Sequence, residues 1–321
     1  MNISKILVIR FSSIGDIVLT TPIIRMLKMQ TGAQIHYLTK PQYQSLLENN
    51  PYLDKIIVLP KDERKLRPLL KQENYDVIID LHRNLRSRRF SFNLAKKVYS
   101  FNKLNFRKWL VVQFKYNTLP NEHIVDRYLA TCNALNIKND GQGLDYFHGL
   151  TIESLDEFGL KPANYIVYAI GGQHQTKKMP KTKMVELLSL INHKIILLGG
   201  KEDAAVGDSL STKESIINLC GQTSLHQSAL IIEHAKKVIT HDSGMMHIAA
   251  AFKKEIISIW GNTIPELGMF PYLADENSAQ FEVPNLSCRP CSKIGFNHCP
   301  KGHFNCMKAQ DTKEISLRIN D

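Results

Sequence analysis

Asp242, Ser243, Gly244 and, one turn later, His247 follow a short β-branched run within KKVITHDSGMMHIAAA (236–251). A strand that ends in Asp-Ser-Gly and turns straight into a helix can build an anion site. The first helical N–H groups have no partner inside the helix, and the helix dipole favours negative charge there. Asp242 or Ser243 can cap such a helix, and Gly244 lets another group approach the backbone closely. His247 lies where its imidazole can face the same mouth. An ordinary capped helix with a buried histidine also fits these four residues, so the stretch does not decide alone.

A second such turn lies near the start. Ile6 to Ile9 reads as a strand, and FSSIGDIVLTTPIIRML (11–27) as a loop and an amphipathic helix, with Ile17, Val18, Ile24 and Leu27 at helical spacing. Ser12, Ser13, Gly15 and Asp16 fill the strand-to-helix turn, which in an open α/β sheet sits where ligands bind. Only one of three fingerprint glycines is present, which argues against a dinucleotide enzyme. Asp16 has two readings: a cap for the helix that follows, or a carboxylate able to take a proton from an incoming hydroxyl.

These turns need strands to hold them. Gln34–Leu38, Ile56–Leu59 and Asp76–Asp80 alternate with helical or loop segments, the rhythm of a parallel sheet with crossover helices. The irregular span His148–Asn164 reads as a boundary, placing one domain at 1–155 and another at 156–321. The rhythm then restarts with Tyr165–Ile170, Lys194–Leu198, Ile216–Cys220, Val238–Thr240 and Glu255–Trp260. The first of these leads into GGQHQTKKMP, where Lys177 and Lys178 can reach a phosphate. The second leads into GGKED, where Glu202 or Asp203 can accept ribose hydroxyls. Plain surface turns explain both equally simply.

The 321 residues carry a net charge of +11, and its distribution is uneven. Residues 1–150 hold 23 Lys/Arg against 12 Asp/Glu, whereas residues 151–321 hold 18 of each, so the halves are expected to meet different partners. Lys61, Arg64, Lys65, Arg67 and Lys71 follow the third strand, and Arg83, Arg86, Arg88 and Arg89 the fourth. Their forks suit phosphate or carboxylate, although a charge run is usually a solvated face. From Lys96 to Tyr116 basic and aromatic residues alternate, a pattern for a membrane surface, a nucleic-acid groove or a helix packed on its own domain.

No run approaches the ~20 apolar residues of a membrane span, and the N-terminus does not read as a signal peptide, so a cytosolic protein is expected. Six cysteines in that setting argue for thiols or a metal rather than disulfides. Cys288, Cys291, Cys299 and Cys306 crowd the tail segment 288–306 with the spacing of a candidate structural zinc knuckle, reduced thiols packed in a loop or a redox pair being the alternatives.

With these residues assembled, the chain resembles glycosyltransferase family 9, the ADP-heptose:lipopolysaccharide heptosyltransferases. The resemblance runs through FSSIGDIVLTTP, TKKMP, LLGGKED, LCGQTSL, HDSGMMHIAAA and the cysteine-rich tail. Met179 stands where the family commonly has an aromatic residue, and Asn262 where it often has proline.

The resemblance implies a GT-B architecture: two Rossmann-like, doubly wound parallel-sheet domains facing across a cleft. The first would bind the acceptor and the second the nucleotide sugar. It implies Asp16 as general base of an inverting transfer of a heptose, or a related sugar, from an ADP-sugar to the lipopolysaccharide inner core. Ser13 and Gly15 would lie near the reacting sugar. Thr176, Lys177, Glu202, Asp242, Ser243, Gly244 and His247 would bind the donor. Arg64, Arg67, Arg83 and Arg86 would anchor an anionic glycolipid on the cytoplasmic face of the inner membrane. No catalytic metal and no nucleic acid are expected. The competing readings are a related transferase with another nucleotide sugar, an inactive scaffold, and a nucleic-acid binder using the basic half.

Overall fold

The computed structural model describes residues 3–321. They form two compact units: residues up to Lys103 with Glu122–Phe147, and Leu104–Asn121 with His148–Asp321. The boundary drawn from sequence at 155/156 compares with a division at 147/148, and residues 104–121 group with the second unit.

The first unit is built on a parallel sheet of β1 (Lys5–Ile9), β2 (Gln34–Thr39), β3 (Lys55–Val58), β4 (Tyr75–Asp80) and β5 (Ala95–Ser100), in the order β3-β2-β1-β4-β5. The central strands β1 and β4 are apolar nearly throughout because helices cover both faces of such sheets. Their core joins Leu7, Ile9, Leu38 and Ile78 to Phe11 and Phe90. β5 is an edge strand carrying Lys96 and Lys97, and charge on an edge blunts pairing with other chains. The mixed basic and aromatic stretch from Lys96 therefore begins as a strand. The helical run after β1 divides in two, Ile14–Val18 and Thr21–Thr31, with Pro22 in the first turn of the second, where its missing N–H costs nothing. Arg25 of that second helix is buried and holds Asp140 at 2.8 Å and Asp145, which ties residues 140–145 back to their own unit.

The second unit repeats the plan with β6 (Ile166–Ala169), β7 (Ile195–Leu198), β8 (Ile216–Asn218), β9 (Val238–His241), β10 (Ile256–Trp260) and β11 (Ala279–Glu282), all parallel, in the order β11-β10-β9-β6-β7-β8. Its core gathers Tyr168, Leu197, Ile239 and Ile259 with Cys306, Met307, Ile315 and Ile319 from the C-terminal segment. The last helix, Thr312–Asn320, is capped by Asp311, which accepts from the N–H groups of Lys313 and Glu314.

Candidate functional site

Each sheet reverses its winding once, and in open α/β sheets the carboxyl ends of the two strands at that point flank the binding crevice. In the first unit those strands are β1 and β4, and in the second β6 and β9.

Arg10 is the first residue past β1 and is almost wholly buried. Its Nε donates to the Ser12 carbonyl at 2.7 Å, and its Nη1 to the Leu81 carbonyl after β4 at 2.6 Å and to the Tyr128 hydroxyl at 3.1 Å. The remaining nitrogen, Nη2, meets Asp16 Oδ1 at 2.7 Å. Asp16 Oδ2 accepts from the Ser13 N–H at 3.2 Å and the Ser13 hydroxyl at 2.9 Å. Ser13 is the N-cap of the helix Ile14–Val18, so Asp16 reaches back as a cap and also meets a fixed cation.

Burial alone would raise the Asp16 pKa. The Arg10 charge and the Ser13 hydrogen bonds outweigh it and hold the carboxyl below its usual range. The side chain keeps 22% of its surface accessible, enough for a small group to reach it. Gly15 is buried within the same short helix. Beside Arg10, His82 packs its ring 4.8 Å from that of Phe11. Burial, then the Arg10 charge, lowers the His82 pKa to about 3, so it is neutral.

The two arginine clusters meet in a pocket of about 160 Å³ lined by Glu63, Arg64, Arg67, Arg89 and Phe90. Arg64 pairs with Asp62 at 3.0 Å, and Arg67 donates to the Phe92 carbonyl at 2.8 Å. Arg83 and Arg86 are not among the lining residues. Arg83 donates to the Phe101 carbonyl at 2.6 Å, while Arg86 pairs with Glu63 and lies 5.5 Å from the Phe11 ring centre. Arg89, part of the fourth-strand cluster but not among the acceptor anchors the resemblance implied, takes a place in the pocket.

In the second unit, Asp242 follows β9 directly. Lys177, from the turn after β6, meets Asp242 Oδ2 at 2.6 Å, and the Thr263 hydroxyl donates to the same oxygen at 2.7 Å. Asp242 is therefore not the cap of the helix Gly244–Ala251. Ser243 stands at the N-cap with extended backbone, but its hydroxyl lies 3.3 Å from that of Thr240 and makes no cap bond. The first-turn N–H groups thus carry no side-chain cap. His247 is buried one turn in.

Next to this pair, Lys178 meets Asp203 at 3.0 Å, and Asp203 also accepts the Gly200 N–H at 3.0 Å. Asp203 is buried and engaged, whereas Glu202 is exposed, which separates two neighbours that sequence leaves equivalent. A Cβ at Gly171 would lie 2.8 Å from Asp203 Oδ2, so only glycine lets the β6 and β7 turns meet this closely.

The Thr176 hydroxyl is committed within the fold, donating to Asn262 at 3.1 Å and accepting from the Phe296 N–H at 2.8 Å. Asn262 in turn accepts the Cys291 N–H on its carbonyl at 3.0 Å. Arg289 donates to the Thr263 carbonyl at 2.8 Å and pairs with Glu282 at 2.8 Å. These bonds, with Cys306 and Met307 in the core, pin the cysteine-rich tail to the second sheet.

The zinc expectation for Cys288, Cys291, Cys299 and Cys306 is not upheld. All four are free thiols, and among the described residues no group of three or more His, Cys, Asp or Glu is arranged to hold a metal ion. Burial pushes the Cys291 thiol up to about 11 and the Cys306 thiol up to about 12, so both stay protonated.

Sequence reasoning passed over Arg10, Tyr128, His82, Thr263 and Arg289 as parts of these sites, and it named Lys178 and Asp203 without pairing them. Arg10 had a local signal, a cation directly between an apolar strand and the SSIGD turn. The others depend on strand order.

The family model of glycosyltransferase family 9 (heptosyltransferase) matches residues 63–298. The chain is 27% identical over 293 residues to lipopolysaccharide heptosyltransferase 1 of Campylobacter coli, covering 81% of this chain and 84% of that one. In fold it is similar to a family 9 glycosyltransferase from Veillonella parvula, with TM-score 0.71, 23% identity, and 87% and 86% of the two chains covered. It is also similar to an E. coli heptosyltransferase solved with ADP, with TM-score 0.70, 18% identity and 98% of each chain covered.

Proposed function

The chain belongs to glycosyltransferase family 9 and is an enzyme of that family, and from that premise we propose that it transfers a heptose from ADP-heptose to the inner core of lipopolysaccharide with inversion. The observation that carries the mechanism is the Asp16 carboxylate: ionised, held at both oxygens, and still reachable.

The acceptor hydroxyl oxygen attacks the anomeric carbon as Asp16 takes its proton. The bond from that carbon to the diphosphate breaks, its electron pair leaves with ADP, and positive charge spreads over the ring oxygen in the transition state. Charge grows on the leaving diphosphate. Lys177 and the uncapped N–H groups at the start of the helix Gly244–Ala251 supply the opposing field in the second unit.

Lys177 rests on Asp242, so an incoming phosphate exchanges one anionic partner for another and leaves Asp242 on Thr263. The exposed Glu202 is the carboxylate available for ribose hydroxyls, and Thr176 holds the loop in place instead of touching the donor. Ser13 and Gly15 belong to the base's own turn, near the reacting sugar. In the first unit, Arg64, Arg67 and Arg89 receive a phosphate or carboxylate of the glycolipid, with Arg83 and Arg86 shaping that edge.

The test pairs a thermal-shift panel of nucleotides and nucleotide sugars with the Asp16→Ala variant. ADP and ADP-sugars should stabilise the protein more than other nucleotides. Asp16→Ala should keep that stabilisation and lose about 10²–10⁴ in turnover. Near-normal turnover in the variant would reduce Asp16 to a helix cap, and a preference for another nucleotide would replace the donor.

A further inference from the structure

The helix Asn105–Phe114 and the residues after it take no part in either site. A surface helix normally turns its apolar stripe inward. Here only Val111 is buried, while Phe106, Trp109 and Phe114 are exposed, at 70%, 48% and 65%. Phe106, Trp109, Leu110 and Gln113 fall at i, i+3, i+4 and i+7, which is one face of the helix. Phe106 stacks on Trp109 with ring centres 6.0 Å apart, and Phe114 meets Trp109 edge-on at 5.3 Å. The three rings make a contiguous apolar knob, with Tyr116 exposed just beyond it.

Charge says what such a knob meets. Between Leu104 and Asn121, the segment that carries the helix, the sequence holds three Lys/Arg and no Asp or Glu. Arg107 and Lys108 sit within the aromatic helix, and Lys115 closes it, its ammonium reaching the Pro290 carbonyl at 2.8 Å and so anchoring the helix to its own unit.

We propose that the helix Asn105–Phe114 docks on an anionic lipid surface, its aromatic knob entering the headgroup boundary and its cations meeting lipid phosphates. Phe and Trp on one face with Lys and Arg beside them is the composition of a helix lying in a membrane interface. Among the described residues no helix is long and apolar enough to cross a membrane, so the contact is peripheral. A nucleic-acid platform needs ring faces open to bases. Phe106 and Trp109 instead each turn one face toward the other, with ring centres 6.0 Å apart. The inference deepens the glycolipid-acceptor reading and rests on it for its purpose, but its test needs no glycolipid.

The two tryptophans make the experiment selective: Trp260 is fully buried in the second sheet, so a fluorescence change on docking reports Trp109. The full chain is mixed with phosphatidylglycerol/phosphatidylethanolamine vesicles and, separately, with phosphatidylcholine vesicles. Anionic vesicles should shift Trp109 emission to the blue, and brominated lipid should quench it. Neutral vesicles should do neither, and high salt should weaken the effect.

The double variant Phe106→Ser/Phe114→Ser should partition about tenfold less well, with ADP stabilisation unchanged. Should that variant misfold, Arg107→Gln/Lys108→Gln on anionic vesicles gives the same reading with the apolar surface intact. No shift on anionic vesicles, unchanged partitioning in folded variants, or quenching by single-stranded RNA but not by vesicles overturns the proposal. Intact docking with no response to ADP would instead sink the donor reading and leave the surface assigned.

Discussion

The two units solve one problem in different ways. Each sets a carboxylate beside a cation where its sheet reverses: Asp16 with Arg10 in the first, Asp242 with Lys177 in the second. In the first, the cation is an arginine whose remaining donors are bound to the Ser12 and Leu81 carbonyls and the Tyr128 hydroxyl. Little can move, so the carboxylate is fixed and kept ionised. In the second, the cation is a lysine on a flexible stem, arriving from the neighbouring strand's turn. A point charge of that kind changes partner readily, whereas a locked guanidinium does not. One arrangement suits a base that must hold its geometry. The other suits a clamp that must let go of the protein to grip a ligand.

The largest expected effect comes from loosening the first pair. Without its arginine, the buried Asp16 carboxyl is left with desolvation as its main influence, which favours the protonated form. The acid limb of the kcat profile should therefore move to higher pH in Arg10→Met, with Arg10→Lys in between. The stability sign agrees. A depressed carboxyl contributes stability above its unfolded pKa, and the wild type loses that contribution only as pH falls through the lower folded value. Arg10→Met has no such contribution to lose, so its acid unfolding curve should be flatter over that range. Parallel profiles in wild type and variant would mean that Arg10 only fills space.

A smaller effect is expected from the second pair. Lys177→Met should weaken ADP affinity about tenfold, the scale of one charge-assisted contact, and leave the pH profile of kcat unmoved. Isothermal titration with ADP checks the first part. A shifted profile with intact affinity would reverse the roles assigned to the two units.

The smallest effect separates the arginines. Arg67→Gln and Arg89→Gln, which remove pocket-lining charge, should raise acceptor KM a few-fold, more at low salt than at high. Arg83→Gln, whose guanidinium is held by the Phe101 carbonyl, should raise it less. Initial rates at two ionic strengths decide this, and equal effects would dissolve the pocket as a distinct anchor.

Much of the fold was legible because buried parallel strands are apolar runs, as ILVI at β1 and IISIW at β10 show. β5 and β11 lie at sheet edges, as the legible β3 and β8 also do, and escaped notice because of their composition. AKKVYS and AQFE mix charge with apolar residues and read as surface. The tail was misread for a related reason. Its cysteine spacing resembles that of a metal knuckle, but Arg289, Thr176 and the packing of Cys306 hold it instead.

Sequence by itself determined whatever lies within one turn: Asp16 three residues from the Ser13 that it caps, and Ser243 and Gly244 opening a helix directly after β9. Such contacts follow from local backbone geometry, which neighbouring residues dictate. Tertiary structure alone decided the partners brought from other strands, such as Tyr128 for Arg10 across 118 positions and Thr263 for Asp242 across 21. It also decided which of Glu202 and Asp203 is exposed, and which face the helix Asn105–Phe114 turns to solvent. The reason is physical: strand order chooses which turns meet, and strand order is set by burial of the whole sheet, not by any one stretch of it.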